Sequence, residues 1–234
     1  MNNVRTVAVL GGGTGAGATS LLVALAVRAH AAGRRVSAVD ADPCGGGLDV
    51  GFGIETEPGV RWEDLLGSDG PLDGERLAER LPSGDDGPRV LSFGRQWCTV
   101  ADELLDRTLS GLRAVHDVLL IDIGRHLATP DSVARYDELI LVARGTAAGL
   151  AAAGATAQRI ERVPQLVVRG AGRAAAREAA DALGMELAAV LPTDRRLAVD
   201  AERGVPAGSR SRSAYVAECD RLLRDLLLPG AAAA

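Results

Sequence analysis

Short apolar runs alternate with longer segments of helical spacing along most of this chain. The apolar runs predict strands at Val4–Leu10, Arg35–Val39, Val90–Phe93, Asp117–Asp122, Glu138–Ala143, Gln165–Val168 and Glu186–Val190. The helical spacing predicts helices at Thr19–Ala32, Trp62–Leu66, Glu75–Leu81, Ala101–Val115, Thr146–Ile160, Arg173–Leu183, Arg195–Arg203 and Ser213–Leu227. This alternation predicts an α/β fold: a doubly wound, mostly parallel sheet of about seven or eight strands, with helices on both faces and Val4–Leu10 central.

The length suits one domain, which we place at residues 1–230, with 231–234 as a disordered tail. The polar first residues predict no signal peptide, and the longest apolar stretch, Leu21–Ala29, is too short to span a bilayer. The three cysteines, at 44, 98 and 219, are far apart and fit no metal-binding spacing. We therefore expect a cytoplasmic protein whose cysteines are reduced and partly buried.

A glycine-rich segment follows the first predicted strand and opens the first predicted helix. It keeps the GxxxxG spacing of a phosphate-binding loop and consists of Gly12, Gly13, Thr14, Gly15, Ala16, Gly17, Ala18, Thr19 and Ser20. Backbone N–H groups in such a turn, with the helix N-terminus, favour an anion, and the Thr19 hydroxyl is placed to bind magnesium. Where a lysine would reach the phosphates, the chain has Ala18, and all 26 of its basic residues are arginine. An ordinary strand–helix turn is the alternative interpretation.

Carboxylates follow two other predicted strands. Asp40 and Asp42 end the second strand, and Asp122 ends the strand DVLLID. Because ligands of such sheets bind at the carboxyl ends of the strands, we expect these groups near the glycine loop. Asp122 would hold the magnesium shell, Asp40 is a further metal-shell candidate, and Asp42 would orient an attacking water. The alternative for each is a carboxylate that caps the following turn.

These motifs resemble the deviant-Walker ATPases typified by ParA and MinD. The resemblance is carried by the glycine loop, by VDADP with GGGLD, and by LLIDIGR. Further stretches are similar to the CpaE/TadZ branch, and most of all to its septum-site-determining (Ssd) proteins: ADPCGGGLDVGFG, PGVRWEDLLG, RVLSFGR, LVVRG and DRRLAVDAERGVP. The resemblance implies the P-loop NTPase fold of the SIMIBI type. It also implies that Asp42 is the hydrolytic aspartate and Asp122 the Walker B carboxylate.

The resemblance further places the adenine near Pro192-Thr193-Asp194, and it puts Arg169 where an asparagine commonly contacts the base. The family's dimer-bridging lysine falls on Gly13 and its phosphate lysine on Ala18. These losses imply that ATP or ADP with Mg²⁺ is bound weakly or not at all, and that hydrolysis is very slow or absent. Arg125 could reach a phosphate, although a surface charge is the favoured interpretation of that residue.

The implied role is spatial positioning through protein partners, either of a Tad/Flp pilus or secretion apparatus or of the division septum, with recruitment to the pole or septum. Any homodimer should be constitutive, and the receiver-like domain of many CpaE-like proteins should be missing or separately encoded.

The alternatives are an active ATPase cycling between monomer and ATP-bound dimer, and a ParA-like DNA segregation protein. The net charge of −5 disfavours specific nucleic-acid binding.

A basic cluster and an amphipathic helix lie in the last part of the sequence. The basic cluster Ser209–Ser213 is interpreted as a solvated loop. The amphipathic helix Tyr215–Leu228 invites comparison with a membrane-binding tail, but its acidic residues favour packing on the sheet. Membrane contact should therefore be peripheral at most.

Overall fold

A computed structural model describes residues 4–210 and 212–227. Within this part of the chain, seven strands form one sheet in the order β3-β2-β4-β1-β5-β6-β7, and every neighbouring pair is parallel. The strands are β1 (Arg5–Gly11), β2 (Val36–Ala41), β3 (Arg89–Leu91), β4 (Val118–Ile123), β5 (Glu138–Arg144), β6 (Gln165–Arg169) and β7 (Leu187–Leu191). The predicted doubly wound α/β fold is confirmed, with β1 in the middle of the sheet.

Helices connect successive strands and cover both faces of the sheet. They are α1 (Ala18–Ala31), α2 (Leu48–Phe52), α3 (Trp62–Leu65), α4 (Gly74–Arg80), α5 (Asp102–Val115), α6 (Pro130–Ala134), α7 (Ala147–Ile160), α8 (Arg173–Leu183), α9 (Arg196–Ala201) and α10 (Ala214–Leu227). The sequence prediction missed α2 and α6, which have five residues each. A segment that short shows little periodicity, although the reciprocal cap between Thr129 and Ser132 marks the start of α6.

The core consists of two apolar layers, one on each face of the sheet. Alternate residues of β1 belong to different layers: Ala8 and Leu10 lie in one, Val7 and Val9 in the other. The first layer also takes residues of α4, α5, α7 and α8, and the second takes residues of α1, α2 and α10. Because both faces are covered, the central strands are continuously apolar, as the sequence pattern required.

The last helix belongs to this core, as predicted. Six residues of α10 are buried, and the Arg28 guanidinium of α1 donates to both carboxylate oxygens of Asp220, at 2.7 and 3.1 Å. In residues 4–210 and 212–227, no helix has the length and apolar character needed to cross a membrane. Leu228 and the predicted tail at 231–234 lie outside the described residues.

Candidate functional site

The glycine loop and two of the predicted carboxylates meet at the carboxyl ends of β1, β2 and β4. These three strands are neighbours, and the register pairs Asp40 with Asp122 across β2 and β4. The loop borders an open cavity of about 390 Å³. Its lining residues are Gly11, Gly13, Thr14, Gly15, Ala16, Gly17, Ala18, Thr19, Ser20, Asp42, Asp122, Ile123, Arg125 and His126.

The loop has the backbone conformation of an anion cradle. Gly15 and Gly17 have φ angles of 66° and 98°, in the left-handed region that favours glycine. Gly17 is the N-cap of the 14-residue helix α1 and makes no side-chain capping bond. The first N–H groups of α1 therefore have no acceptor within the helix, and they lie at the positive end of its dipole. A phosphate group suits this position.

Gly12 is required by helix packing, which the spacing of the loop does not reveal. A Cβ atom on Gly12 would lie 2.7 Å from the Cβ of Ala153 and 2.8 Å from its Cα, in the middle of α7. The hydroxyl of Thr156, also on α7, donates to the Gly12 carbonyl at 3.3 Å. Gly12 does not line the cavity but holds the loop against α7, so its predicted contact with nucleotide remains a prediction.

Thr19 and Asp122 meet directly at the base of the cavity. The Thr19 hydroxyl donates to Oδ2 of Asp122 at 2.7 Å. Burial raises the pKa of Asp122 to about 7, the Thr19 hydrogen bond partly opposes this, and repulsion from Asp40 and Asp42 adds to it. A buried carboxylate beside a hydroxyl suits a hard cation such as Mg²⁺, which would also stabilise the ionised carboxylate. These residues fit the predicted magnesium ligands.

Asp40 is turned away from the cavity, and its geometry does not favour the predicted metal contact. The residue is 2% exposed, and both of its carboxylate oxygens accept hydrogen bonds. Oδ1 accepts from the Asp42 N–H at 3.0 Å. Oδ2 accepts from the Leu48 N–H at 2.8 Å and from the Ser92 hydroxyl at 3.2 Å. Burial raises its pKa to about 6 despite these bonds. The Trp62 indole donates to its carbonyl at 2.7 Å. Asp40 thus shapes the turn that presents Asp42.

Asp42 lies at the cavity mouth beside a histidine that sequence reasoning did not single out. Its Oδ1 accepts from the Cys44 N–H at 3.1 Å and lies 3.8 Å from Nε2 of His126. A Cβ on Gly124 would come within 2.7 Å of the Asp42 carboxylate and 2.9 Å of the His126 ring. The only sequence signal for His126 was its place just after LLIDIGR.

Two arginines bring positive charge to the loop from different sides. Arg125 lines the cavity, and its carbonyl accepts a hydrogen bond from the Arg159 guanidinium of α7. Arg169, at the end of β6, donates through Nη2 to the Gly15 carbonyl at 2.7 Å and lies about 3.5 Å from where a Cβ of Gly17 would be. Arg169 does not line the cavity, so its charge acts on the loop from outside.

The predicted adenine segment lies at the same sheet edge but outside the cavity. It follows β7, the neighbour of β6, and the Thr193 hydroxyl lies 3.2 Å from where a Cβ of Gly170 would be. Asp194 accepts through Oδ1 from the Arg196 N–H at 3.0 Å, just before α9. Base contacts by Arg169, Pro192 and Asp194 therefore remain a prediction.

No protein-family model matches the chain. Two uncharacterized proteins, from two strains of Mycobacterium tuberculosis, are each 35% identical to it over 205 residues. The matched region is 85% of this chain but 57% of each relative, so the chain spans little more than half of their length.

Solved structures share the fold at low sequence identity. A ParA family ATPase from Chlorobium tepidum superposes with a TM-score of 0.79 at 14% identity, over 94% of this chain and 98% of that one. MinD in a MinC:MinD complex from Aquifex aeolicus gives 0.77 at 18%, covering 96% of each. MinD with Mg-ADP from Pyrococcus horikoshii gives 0.68 at 19%, covering 95% and 96%. The fold is that of the ParA and MinD ATPases.

Proposed function

We propose that this chain is a ParA/MinD-type positioning protein with a degenerate nucleotide site. The proposal rests on the combination of a preserved site geometry with the loss of both lysines. The loop, Asp42 and Asp122 converge on one cavity, but the positions of the two lysines expected from the resemblance hold Ala18 and Gly13. The scaffold of a nucleotide switch is present, and its principal positive charges are missing.

Nucleotide would use the groups that remain. The N–H groups at the start of α1 would contact phosphate, while Thr19 and Asp122 would hold the Mg²⁺ that supplies positive charge there. Mg-ADP is present in the Pyrococcus horikoshii MinD structure, which shares this fold. Without a lysine, we expect ATP and ADP to bind weakly or not at all.

Hydrolysis should be very slow or absent. Asp42 lies at the cavity mouth, where it could orient a water molecule, but that arrangement helps only when the γ-phosphate is held and neutralised. Loss of a single preorganised donor to developing negative charge costs about 3–4 kcal/mol of barrier, or roughly 100- to 1000-fold in rate. The chain lacks both lysines, so the combined loss should be larger.

The positioning role would then depend on protein contacts rather than on turnover. MinD is seen with MinC in the Aquifex aeolicus complex, which illustrates such a contact on this fold. The motifs shared with the CpaE/TadZ branch and its Ssd members favour a Tad/Flp pilus or secretion apparatus, or the division septum, as the site of action. Any homodimer should be held constitutively by apolar helix surfaces.

A working ATPase is the second candidate, and Arg125 is the observation in its favour. Arg125 lines the same cavity as the loop and could neutralise a phosphate in place of lysine. A DNA segregation role is less favoured, because the chain has a net charge of −5 and contains no lysine.

Calorimetric titration with Mg-ATP and Mg-ADP tests the nucleotide part of the proposal. We expect weak heats or none, and any binding should fall when Thr19 is replaced by valine, which keeps the shape but removes the hydroxyl. Tight binding by the wild-type chain that is unaffected by Thr19→Val would contradict both the degenerate loop and the assigned magnesium site.

A further inference from the structure

Three metal-ligating side chains of different chemistry meet beside the phosphate cavity. One ligand atom each from Asp42, Cys44 and His126 lies within 4.8 Å of the other two. Asp42 and Cys44 follow β2, and His126 follows β4, so the pairing of these two strands brings the groups together. The spacing of the cysteines does not reveal this group, because His126 is distant from Cys44 along the chain.

The local backbone holds this group in place. A turn after β2 is closed by the Gly45 N–H, which donates to the Asp42 carbonyl at 3.0 Å. The Cys44 N–H donates to Oδ1 of Asp42, which keeps the cysteine beside the carboxylate. The missing side chain at Gly124 provides the space in which the Asp42 carboxylate and the His126 ring approach each other.

The three side chains are free to adjust to a cation. Cys44 is exposed, and the side chains of His126 and Asp42 are about 50% and 27% exposed. Among the described residues, Oδ2 of Asp42 accepts no hydrogen bond, and Nε2 of His126 lies 3.8 Å from Oδ1 of Asp42, beyond hydrogen-bond length. In tetrahedral coordination, metal–ligand distances of about 2.0–2.3 Å place the ligand atoms roughly 3.3–3.8 Å apart, so a small movement suffices.

We propose that Asp42, Cys44 and His126 form a binding site for a divalent transition cation, with Zn²⁺ as the best match. Thiolate, imidazole and carboxylate are the ligands that zinc takes in proteins, and Mg²⁺ prefers oxygen ligands alone. Three protein ligands leave the fourth tetrahedral position open to water.

The proposed zinc site shares no ligand with the proposed magnesium site at Thr19 and Asp122. Zinc binding there requires no bound nucleotide. A bound cation would engage the Asp42 carboxylate, the same group that would orient water for hydrolysis. The binding of zinc and the availability of Asp42 would therefore be mutually exclusive.

Cobalt provides the direct test, because a thiolate bound to Co²⁺ gives an intense charge-transfer absorption in the near ultraviolet. Tag-free, reduced protein is titrated anaerobically with Co²⁺ without nucleotide, and Zn²⁺ affinity is then measured by competition with a chromophoric chelator. We expect one equivalent of Co²⁺ to give the thiolate band, and one equivalent of Zn²⁺ to remove it.

Matched variants decide whether these side chains are the ligands. Cys44→Ser should abolish the band, and Cys44→Ser and His126→Ala should each weaken Zn²⁺ binding at least tenfold. His30→Ala, which removes a histidine outside the cluster, should change neither. Absence of the band in wild type, its persistence in Cys44→Ser, or unchanged Zn²⁺ affinity in His126→Ala would overturn the proposal. Circular dichroism of each variant verifies folding before titration, and the His126→Ala arm remains decisive if Cys44→Ser fails to fold.

Discussion

Replacing Gly12 by alanine should destabilise the protein much more than the same change at its neighbour Gly13. The added Cβ at position 12 would meet Ala153 at 2.7 and 2.8 Å, and the second of these contacts is to the backbone of α7. At position 13 the nearest atom is the Cβ of Ala152 at 3.3 Å, a contact that a small adjustment relieves. The predicted cause of the difference is therefore displacement of α7.

The two substitutions are matched in backbone conformation and in their effect on the unfolded state. Neither glycine has a positive φ, so alanine strains neither backbone. Gly→Ala lowers the conformational entropy of the unfolded chain, which stabilises the folded state by about 0.4–1 kcal/mol in both variants. Overpacking against a well-packed core costs about 1–3 kcal/mol, so Gly12→Ala should be less stable than Gly13→Ala by that amount.

Urea unfolding followed by circular dichroism measures this difference, with the m-value as a control that the same surface is exposed in both variants. Equal free energies of unfolding for Gly12→Ala and Gly13→Ala would contradict this prediction. That result would mean that α7 accommodates the extra methyl group without cost, and that Gly12 is not needed for packing.

Three further predictions concern the nucleotide site, assembly and pH. Ala18→Lys should strengthen Mg-ATP binding by about 1–3 kcal/mol in calorimetry, the range for a charge-assisted contact, and an unchanged affinity would argue against the assigned phosphate position. Mg-ATP should not shift the elution of the wild-type chain in sizing chromatography, because Gly13 stands where the bridging lysine is expected; a shift towards a dimer would contradict this. Burial lowers the pKa of His116 below its ordinary 6.5, so at this group the unfolded state binds more protons and the contribution of His116 to stability should fall as the pH drops through 6.5. Asp40 and Asp122, whose pKa values are raised by burial, contribute with the opposite sign. In urea unfolding on both sides of that pH, the free energy of unfolding of the wild type should fall relative to that of His116→Asn, and an unchanged difference between the two would exclude His116 as the cause.

Much of the fold could be predicted because its signals are local. The strands are buried on both faces, so they appear as continuous apolar runs, such as VLLI of β4 before Asp122. The glycine loop and Asp122 could be placed for the same reason, since adjacent parallel strands end at one edge.

The different positions of the Asp40 and Asp42 side chains could not be predicted from the sequence. Two residues apart in a strand, they would share a face, but β2 ends at Ala41 and the chain turns. Asp40 therefore stays buried beneath the turn, and Asp42 reaches the cavity. The packing role of Gly12 and the grouping of Cys44 with His126 were also hidden, because each depends on a segment distant in sequence.

Phosphate release under single-turnover conditions shows whether the site hydrolyses ATP. Wild-type protein is compared with Asp42→Ala, which removes the carboxylate at the cavity mouth. If the missing lysines have abolished hydrolysis, the two rates should be indistinguishable, because a positioned water is of little use without a neutralised phosphate. A wild-type rate clearly above that of Asp42→Ala would mean a working ATPase, and Arg125 would then be the first residue to replace.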